Sequence, residues 1–461
     1  MTNKSYILLF TFLFFLKIFS IYFTNFSLYG DEAQYWLWSK NLDTGYFSKP
    51  PLLAWFIRLY SYLFGSDFIS IKIFPSIVYI FTSISIYLLC IELSFTKKNA
   101  LTCSLMFIIM PAVSLSSFLI STDVLLLFFW TVSLIYLIKI RKDPGVFNFI
   151  LLGIFLGLSF LSKYAAVYFF LCLFLFIFFD DKFKEIVFKN IFGFFVFILS
   201  FLVVISPNIL WNIKNDWLTL GHTASNANLT NISFNFLGGF EFLLAQILMV
   251  GPILFFGFLL NIKSSKFVFQ NIFLLCFSLP IMFIVLIESV LVRANANWAA
   301  PGLICLLIFF FNSLNKFKQK IISLNFVLNF FVGAILYFLI SISSPVSFFD
   351  RIRGLENFSK EIAEISDLKT IVISDRILFS SLSYELKNEE YYIYMPYYDL
   401  GGVTNHFQIS APLDKNISND FMLIGSPLDI KYLINDYKIK LKKNFNEPFH
   451  SEQIDVYEVT F

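Results

Sequence analysis

Long apolar stretches recur from the start of the chain to about Ser343, and no other feature of the sequence constrains its fold so strongly. Each runs roughly 16–23 residues, enough or nearly enough to cross a hydrocarbon layer of about 30 Å at 1.5 Å per residue. Eleven are read, at 6–24, 71–92, 100–119, 122–139, 146–162, 164–180, 190–207, 239–261, 267–287, 298–313 and 321–343. The fifth and sixth are short enough to form one hairpin. Charged residues make up only 14% of the chain and hydrophobic ones 58%, so there is too little polar surface to cover this protein in water. Its solvent is lipid. No small-residue cleavage site follows the first stretch, which therefore reads as a retained helix and not a signal peptide.

The net charge of +3 is small and its basic residues are scattered, so a nucleic-acid partner is not expected. Cys90, Cys103, Cys172, Cys276 and Cys305 all sit in apolar runs without metal-ligand or redox spacing, so neither a disulfide framework nor a zinc site is read. Short cytoplasmic loops are enriched in Lys and Arg. Alternate connections carry Lys97 and Lys98; Lys139, Arg141 and Lys142; Lys182, Lys184 and Lys189; Lys263 and Lys266; and Lys316, Lys318 and Lys320. Those five are expected inside, with the N-terminus. The loops from Asn25 to Ser70 and from Asn208 to Gly238, and the C-terminus, are then expected outside.

From about Pro345 charges become frequent, and short β-rich runs (Thr370–Ser374, Tyr391–Tyr394, Phe421–Ile424, Ile454–Val459) alternate with helix-like ones (Leu378–Leu386, Leu428–Asp436). The expected fold class is an α-helical polytopic membrane protein of about eleven spans, with interfacial helices in the first outer loop, plus a small C-terminal α/β domain. The expected domains are a membrane part over 1–344 and an extracytoplasmic part over 345–461. No repeat relates two halves of the membrane part, which weighs against a transporter.

Ionisable groups near a membrane are costly, and here they gather on the expected outer side. Asp31 and Glu32 follow the first span, either as a cap for the aromatic segment Ala33–Trp38 or as a reactive carboxylate pair. Lys49 precedes a rigid Pro-Pro turn, after which Leu52–Tyr62 can return along the interface. Asp123 opens the fourth span, where dipole and capping reasons also favour an Asp. Lys163 sits between the two short spans and could simply snorkel to the interface. His222, the only histidine before the C-terminal part, lies in the second large outer loop, and a lone His is commonly a loop hydrogen-bonder. Arg293 and Asn297 stand in RANANW at the mouth of the tenth span. Tyr46, in GYFSKPP, joins Lys49, Lys163, His222, Arg293 and Asn297 as a substrate-binding candidate.

Carboxylates and cations at one membrane face suit an anionic lipid substrate. A polyprenyl-phosphate sugar has an apolar tail, a phosphate leaving group and an activated anomeric carbon. Cations would hold the phosphate while a carboxylate, for which Asp31 is the candidate, accepts the proton of an incoming hydroxyl; direct displacement inverts the anomeric centre.

DEAQYW after the first span, KPP in the same loop, Asp123, LSKYAAV, LGH and NWAAP together resemble the bacterial membrane glycosyltransferases of family 39, in the GT-C class, related to protein O-mannosyltransferases and to the aminoarabinose transferases of lipid A. DRIRGLENF (Asp350–Phe358) and the strand-to-helix element around Ser374–Arg376 extend the resemblance over nearly the whole chain. It implies a hexosyl or pentosyl transferase of the bacterial cytoplasmic (inner) membrane. The donor would be a polyprenyl-phosphate sugar, the acceptor a lipid, glycan or protein, and transfer would occur on the extracytoplasmic side. Asp31 and Asp123 would be essential carboxylates and Lys49 a phosphate contact; Glu32, beside Asp31, is a further catalytic candidate from the residues themselves. Such transferases often carry Arg three residues after the first carboxylate, where this chain has Gln34, so part of the phosphate grip would fall to Lys163 or Arg293. They also include enzymes with Glu before the KPP-type lysine, where this chain has Ser48, which leaves dependence on a divalent cation open. A transporter or flippase of a lipid-linked saccharide, and a scaffold of envelope assembly, are the competing readings.

Overall fold

The computed structural model describes residues 3–227, 234–262, 268–365, 368–397, 402–446 and 453–461; the expected basic-loop residues Lys263 and Lys266 lie outside them. In chain order the helices are α1 (Asn3–Phe23), α2 (Gly30–Trp38), α3 (Leu52–Phe64), α4 (Phe68–Glu92), α5 (Lys97–Ile108), α6 (Pro111–Ser116), α7 (Thr122–Lys142), α8 (Val146–Ser162), α9 (Tyr168–Phe179) and α10 (Asp181–Lys189). They continue with α11 (Ile191–Lys214), α12 (Leu218–Ala227), α13 (Phe236–Val250), α14 (Pro252–Asn261), α15 (Phe269–Cys276), α16 (Leu279–Leu291), α17 (Ala300–Ser313), α18 (Lys318–Ser341), α19 (Leu355–Ile365) and α20 (Arg376–Glu385). Strands β1 (Thr370–Ile373), β2 (Tyr392–Tyr394), β3 (Phe421–Ile424), β4 (Lys438–Phe445) and β5 (Ile454–Thr460) complete the regular structure used below. The chain forms two compact units. One comprises Met1–Phe19, Lys49–Leu53 and Lys72–Phe338; the other comprises Ser20–Ser48, Ala54–Ile71 and Leu339–Phe461.

The first unit is helical. Among the described residues of the whole chain, seven helical stretches are long and apolar enough to cross a membrane, or nine if each of two sharply bent pairs is one span. The eleven expected stretches are all helical in the main, but two fall short. Residues 100–119 divide into α5 and α6 at Pro111, whose missing N–H cannot continue a helix, and 146–162 is the 17-residue α8. Phe12, Phe15 and Phe19 on α1 and Phe192 and Phe195 on α11 are exposed, as suits side chains solvated by lipid.

One bent pair is α13 and α14, which meet at 96°. Gly251 makes the corner at φ 114°, where a Cβ would also lie 2.6 Å from Oδ1 of Asn325, so both backbone and space require glycine. Pro252 then starts α14 at a position where its lack of a donor costs nothing. The other pair is α9 and α10, bent by 107°. Asp180 makes that turn, capping α10 through the N–H of Phe183 at 2.7 Å. The same carboxylate receives a two-pronged contact from Arg141, near the end of α7, with Nε at 3.0 Å and Nη2 at 2.8 Å. Two lysines are fully buried near the α6 end. Lys17 donates to Oγ of Ser76 and the carbonyl of Ser117, and Lys72 donates to the carbonyl of Phe118 at 3.2 Å and lies over its ring.

The second unit carries a five-stranded sheet of order β2-β1-β3-β5-β4. β1 pairs in parallel with β2 and β3, and β5 runs antiparallel to β3 and β4. All four residues of the central β3, FMLI, are buried, as expected of a strand covered on both faces. Phe358 of α19 packs edge-on against Phe445 of β4 at 4.8 Å. The four expected strands are found, but β4 was not expected: KIKLKKNF is lysine-rich, and such charge protects an exposed sheet edge. The helix expected over Leu428–Asp436 is absent. Only a 3-10 turn, Pro427–Ile430, forms there, after which Ile434 N–H and the Asn435 amide are drawn to the carbonyls of Lys415 and Ile417.

Candidate functional site

Two polar clusters contain most of the residues singled out from the sequence, one in each unit. In the first unit, Asp123 lies in the first turn of α7, where the helix dipole favours a negative charge. Nζ of Lys163 donates to its Oδ1 at 2.7 Å, and Nδ2 of Asn297 donates to its Oδ2 at 2.8 Å. The side chains of Asp123 and Lys163 are only 8% and 17% exposed, so this is a largely buried pair with both carboxylate oxygens engaged. Lys163 reaches it from the extended residue that ends α8, and Asn297 from the 3-10 turn Ala296–Ala299. Next to Lys163, the hydroxyl of Tyr164 donates to Oδ1 of Asn208 at 2.8 Å and accepts from Nδ2 of Asn212 at 3.2 Å, which ties the junction to α11. Three segments far apart in sequence thus meet at one carboxylate.

An apolar groove of about 570 Å³ lies elsewhere in the same unit, lined by Leu171 and Leu175 of α9, Leu243 of α13, and Met282, Phe283 and Leu286 of α16. Leu171 is eight residues along the chain from Lys163, and α16 is followed by the turn that bears Asn297. Of the remaining candidates in this unit, Arg293 is exposed and precedes that turn, and Lys49 is half-buried in the segment before Pro50. His222 is half-buried on α12 and shares a hydrogen bond of 2.9 Å with Asn226 one turn along the same helix.

In the second unit, Asp31 occupies the first turn of α2, and Nη1 of Arg376, the first residue of α20, lies 3.1 Å from its Oδ1. The same guanidinium nitrogen donates to Oε1 of Gln34. Both partners of the ion pair are solvent-accessible, at 44% for Asp31 and 37% for Arg376. Among the described residues, Oδ2 of Asp31 has no protein partner. Glu32 differs: it is buried and accepts the N–H of Tyr29 at 2.8 Å, the geometry of a helix cap.

α2 and α20 pack tightly. A Cβ on Gly30 would sit 2.3 Å from Cγ2 of Ile377, so the approach requires glycine. Oγ of Ser380 donates to the carbonyl of Gly30 at 3.0 Å, and Trp36 meets Tyr384 edge-on at 4.9 Å. Tyr46 is fully buried, stacked on Trp38 at 4.3 Å with its hydroxyl donating to the Trp38 carbonyl at 3.2 Å, and burial pushes its hydroxyl up to about 12. His406 lies edge-on to both rings, and burial lowers it to about 4 against an opposing pull from Asp43. These contacts brace α2 from its second end.

Arg376 was not a candidate from the sequence, although its strand-to-helix element was noticed. It lies 345 residues from Asp31, and no local spacing links them. The contact brings a guanidinium to Gln34, the position where the family resemblance leads one to expect an arginine.

A sequence family described as dolichyl-phosphate-mannose-protein mannosyltransferase matches residues 48–211. Lipid A galacturonosyltransferase RgtD of Rhizobium johnstonii is 28% identical over 384 residues, which cover 79% of each chain. The structure is similar to that of ArnT from Cupriavidus metallidurans in the apo state, with a TM-score of 0.66 and 12% identity over 99% of this chain and 98% of that one. ArnT bound to undecaprenyl phosphate gives a TM-score of 0.67 at the same identity and coverage. The chain thus has the GT-C-like fold of ArnT with a small C-terminal sheet domain, and the resemblance read from its motifs to family 39 glycosyltransferases holds.

Proposed function

For a chain with this fold and these relatives, we propose transfer of a sugar from a polyprenyl-phosphate-linked donor to an acceptor hydroxyl at the outer face of the bacterial cytoplasmic membrane. The acceptor oxygen forms its bond to the anomeric carbon as the bond to the phosphate oxygen breaks, so configuration inverts. The acceptor's proton passes to Asp31, and the electron pair of the broken bond leaves on polyprenyl phosphate. Lys49, Lys163 and Arg293 bind the phosphate. Asp123 orients Lys163, because both its oxygens are already occupied.

The observation that carries this reading is the condition of Asp31: one oxygen is held by Arg376, and the other is without a protein partner among the described residues, on a helix fixed at several points. The apolar groove of about 570 Å³ supports a lipid-linked donor, since α9 and α16 lead from its walls to the Lys163–Asp123–Asn297 cluster. Polyprenyl-phosphate galacturonic acid is the first donor to test, because RgtD is named for that sugar and for lipid A. The purified chain in lipid nanodiscs should release polyprenyl phosphate from the correct donor only when acceptor is present. Mass spectrometry of envelope lipids, glycans and glycoproteins from a deletion strain should find one class of molecule lacking a sugar. A full envelope inventory in that strain would end the proposal.

Lys49→Ala and Arg293→Ala each remove a charge-assisted contact to a phosphate already present in the ground state, so donor affinity should fall about 10–100-fold with turnover at saturation nearly kept. Equilibrium binding of donor alone checks this, and unchanged affinity would exclude the residue as a phosphate ligand. The proposed sidedness is checked by a reporter fused after Phe461. Activity of a periplasm-dependent reporter is expected, and activity of a cytoplasm-only one would reverse the topology.

A further inference from the structure

We propose that Arg376 is the positioning residue of the base, and that holding Asp31 in place is a task of the α/β sheet domain. The inference rests on the proposed role of Asp31. Several observations lead to it. Nη1 of Arg376 bridges Oδ1 of Asp31 and Oε1 of Gln34, residues one turn apart on α2, so a single guanidinium fixes both the carboxylate's rotation and its place along the helix.

Arg376 itself is held. It starts α20, whose cap Asp375 accepts the N–H groups of Ile377 and Leu378 at 2.9 and 2.8 Å, and whose next turns lock onto α2 through Ile377, Ser380 and Tyr384. An ion pair so open to solvent adds little to stability, so the contact is better explained by what it does to Asp31. With one side of Oδ1 taken by Arg376, Oδ2 is the more open oxygen for the acceptor's proton. Guanidinium cannot give up its own proton and so cannot compete for the role of base.

A base misplaced by about 1 Å can cost on the order of 100-fold in rate. Arg376→Ala is therefore expected to lower kcat about 10–100-fold while the donor KM stays within about threefold. Free guanidinium ion in the assay should restore part of kcat, which a merely structural arginine would not show. Arg376→Lys keeps the charge but not the place of Nη1 between Asp31 and Gln34, and should recover only part of kcat.

The assay uses the full chain in nanodiscs with polyprenyl-phosphate galacturonic acid, or with whichever polyprenyl-phosphate hexose or pentose the enzyme first proves to use. A raised donor KM with kcat preserved would make Arg376 a phosphate ligand and overturn the proposal. So would wild-type kinetics of Arg376→Ala, or a loss that guanidinium does not relieve and that accompanies a lowered unfolding temperature. Asp31→Asn is run beside it. If that variant is inactive while Arg376→Ala is normal, only the positioning role fails; if Asp31→Asn is itself fully active, the reading of Asp31 fails first.

Discussion

Asp31→Asn should still bind the lipid donor while turnover falls by roughly 10²–10⁴-fold, the usual worth of general-base catalysis. The amide keeps the size of the side chain and can still offer an oxygen to Arg376, so the packing of α2 against α20 should survive. What it lacks is basicity at the second position, the one without a protein partner among the described residues. Single-turnover rates with saturating acceptor, read alongside donor binding, separate the two effects. Turnover at the wild-type rate would remove Asp31 as base, and loss of donor binding would reassign it as a ligand. Glu32 is a poor substitute, since its carboxylate is already committed to the backbone of Tyr29.

Lys163→Ala should be the most damaging change to the fold. It leaves the Asp123 carboxylate largely buried with only the amide of Asn297, and breaking a buried pair from one side costs about 3–5 kcal/mol. A depressed unfolding temperature in detergent is the expected result. The double variant Asp123→Asn/Lys163→Met removes both charges at similar volume and should regain at least half of that loss, although it should remain inactive. If Lys163→Ala is as stable as wild type, the lysine does not serve the fold, and Asp123 has no structural reason to be paired with it.

Much of the membrane part was legible because long apolar runs report their own solvent. The same runs conceal how far helices bend: Gly251-Pro252 in LMVGPILFF marks a break, but not whether the span kinks slightly or turns the right angle that is found. Asp123, Lys163 and Asn297 were each suspected from their common side of the membrane, and they meet. Asp31 was suspected for its place after the first span, but Arg376 was not, because only the tertiary fold joins helices so far apart in sequence. β4 escaped notice because its lysines mask the alternation of a strand, whereas β3, covered on both faces, announced itself as FMLI.

The helix α7 carries an acid at one end and a base at the other, and each is matched by a charge flanking α9: Asp123 with Lys163, and Arg141 with Asp180. The signs alternate, so the two helices can run side by side in only one direction and one register. Slipping by a single turn would break both ion pairs and carry a charge into the apolar layer at one end. Eighteen residues separate Asp123 from Arg141, about 27 Å of helix, close to the hydrocarbon depth of a bilayer. The two ion pairs are therefore set about one hydrocarbon thickness apart along the helix. Thicker membranes would draw both ion pairs inward from the headgroups, and lipid chain length becomes a variable to which this protein should respond before any of its substrates is involved.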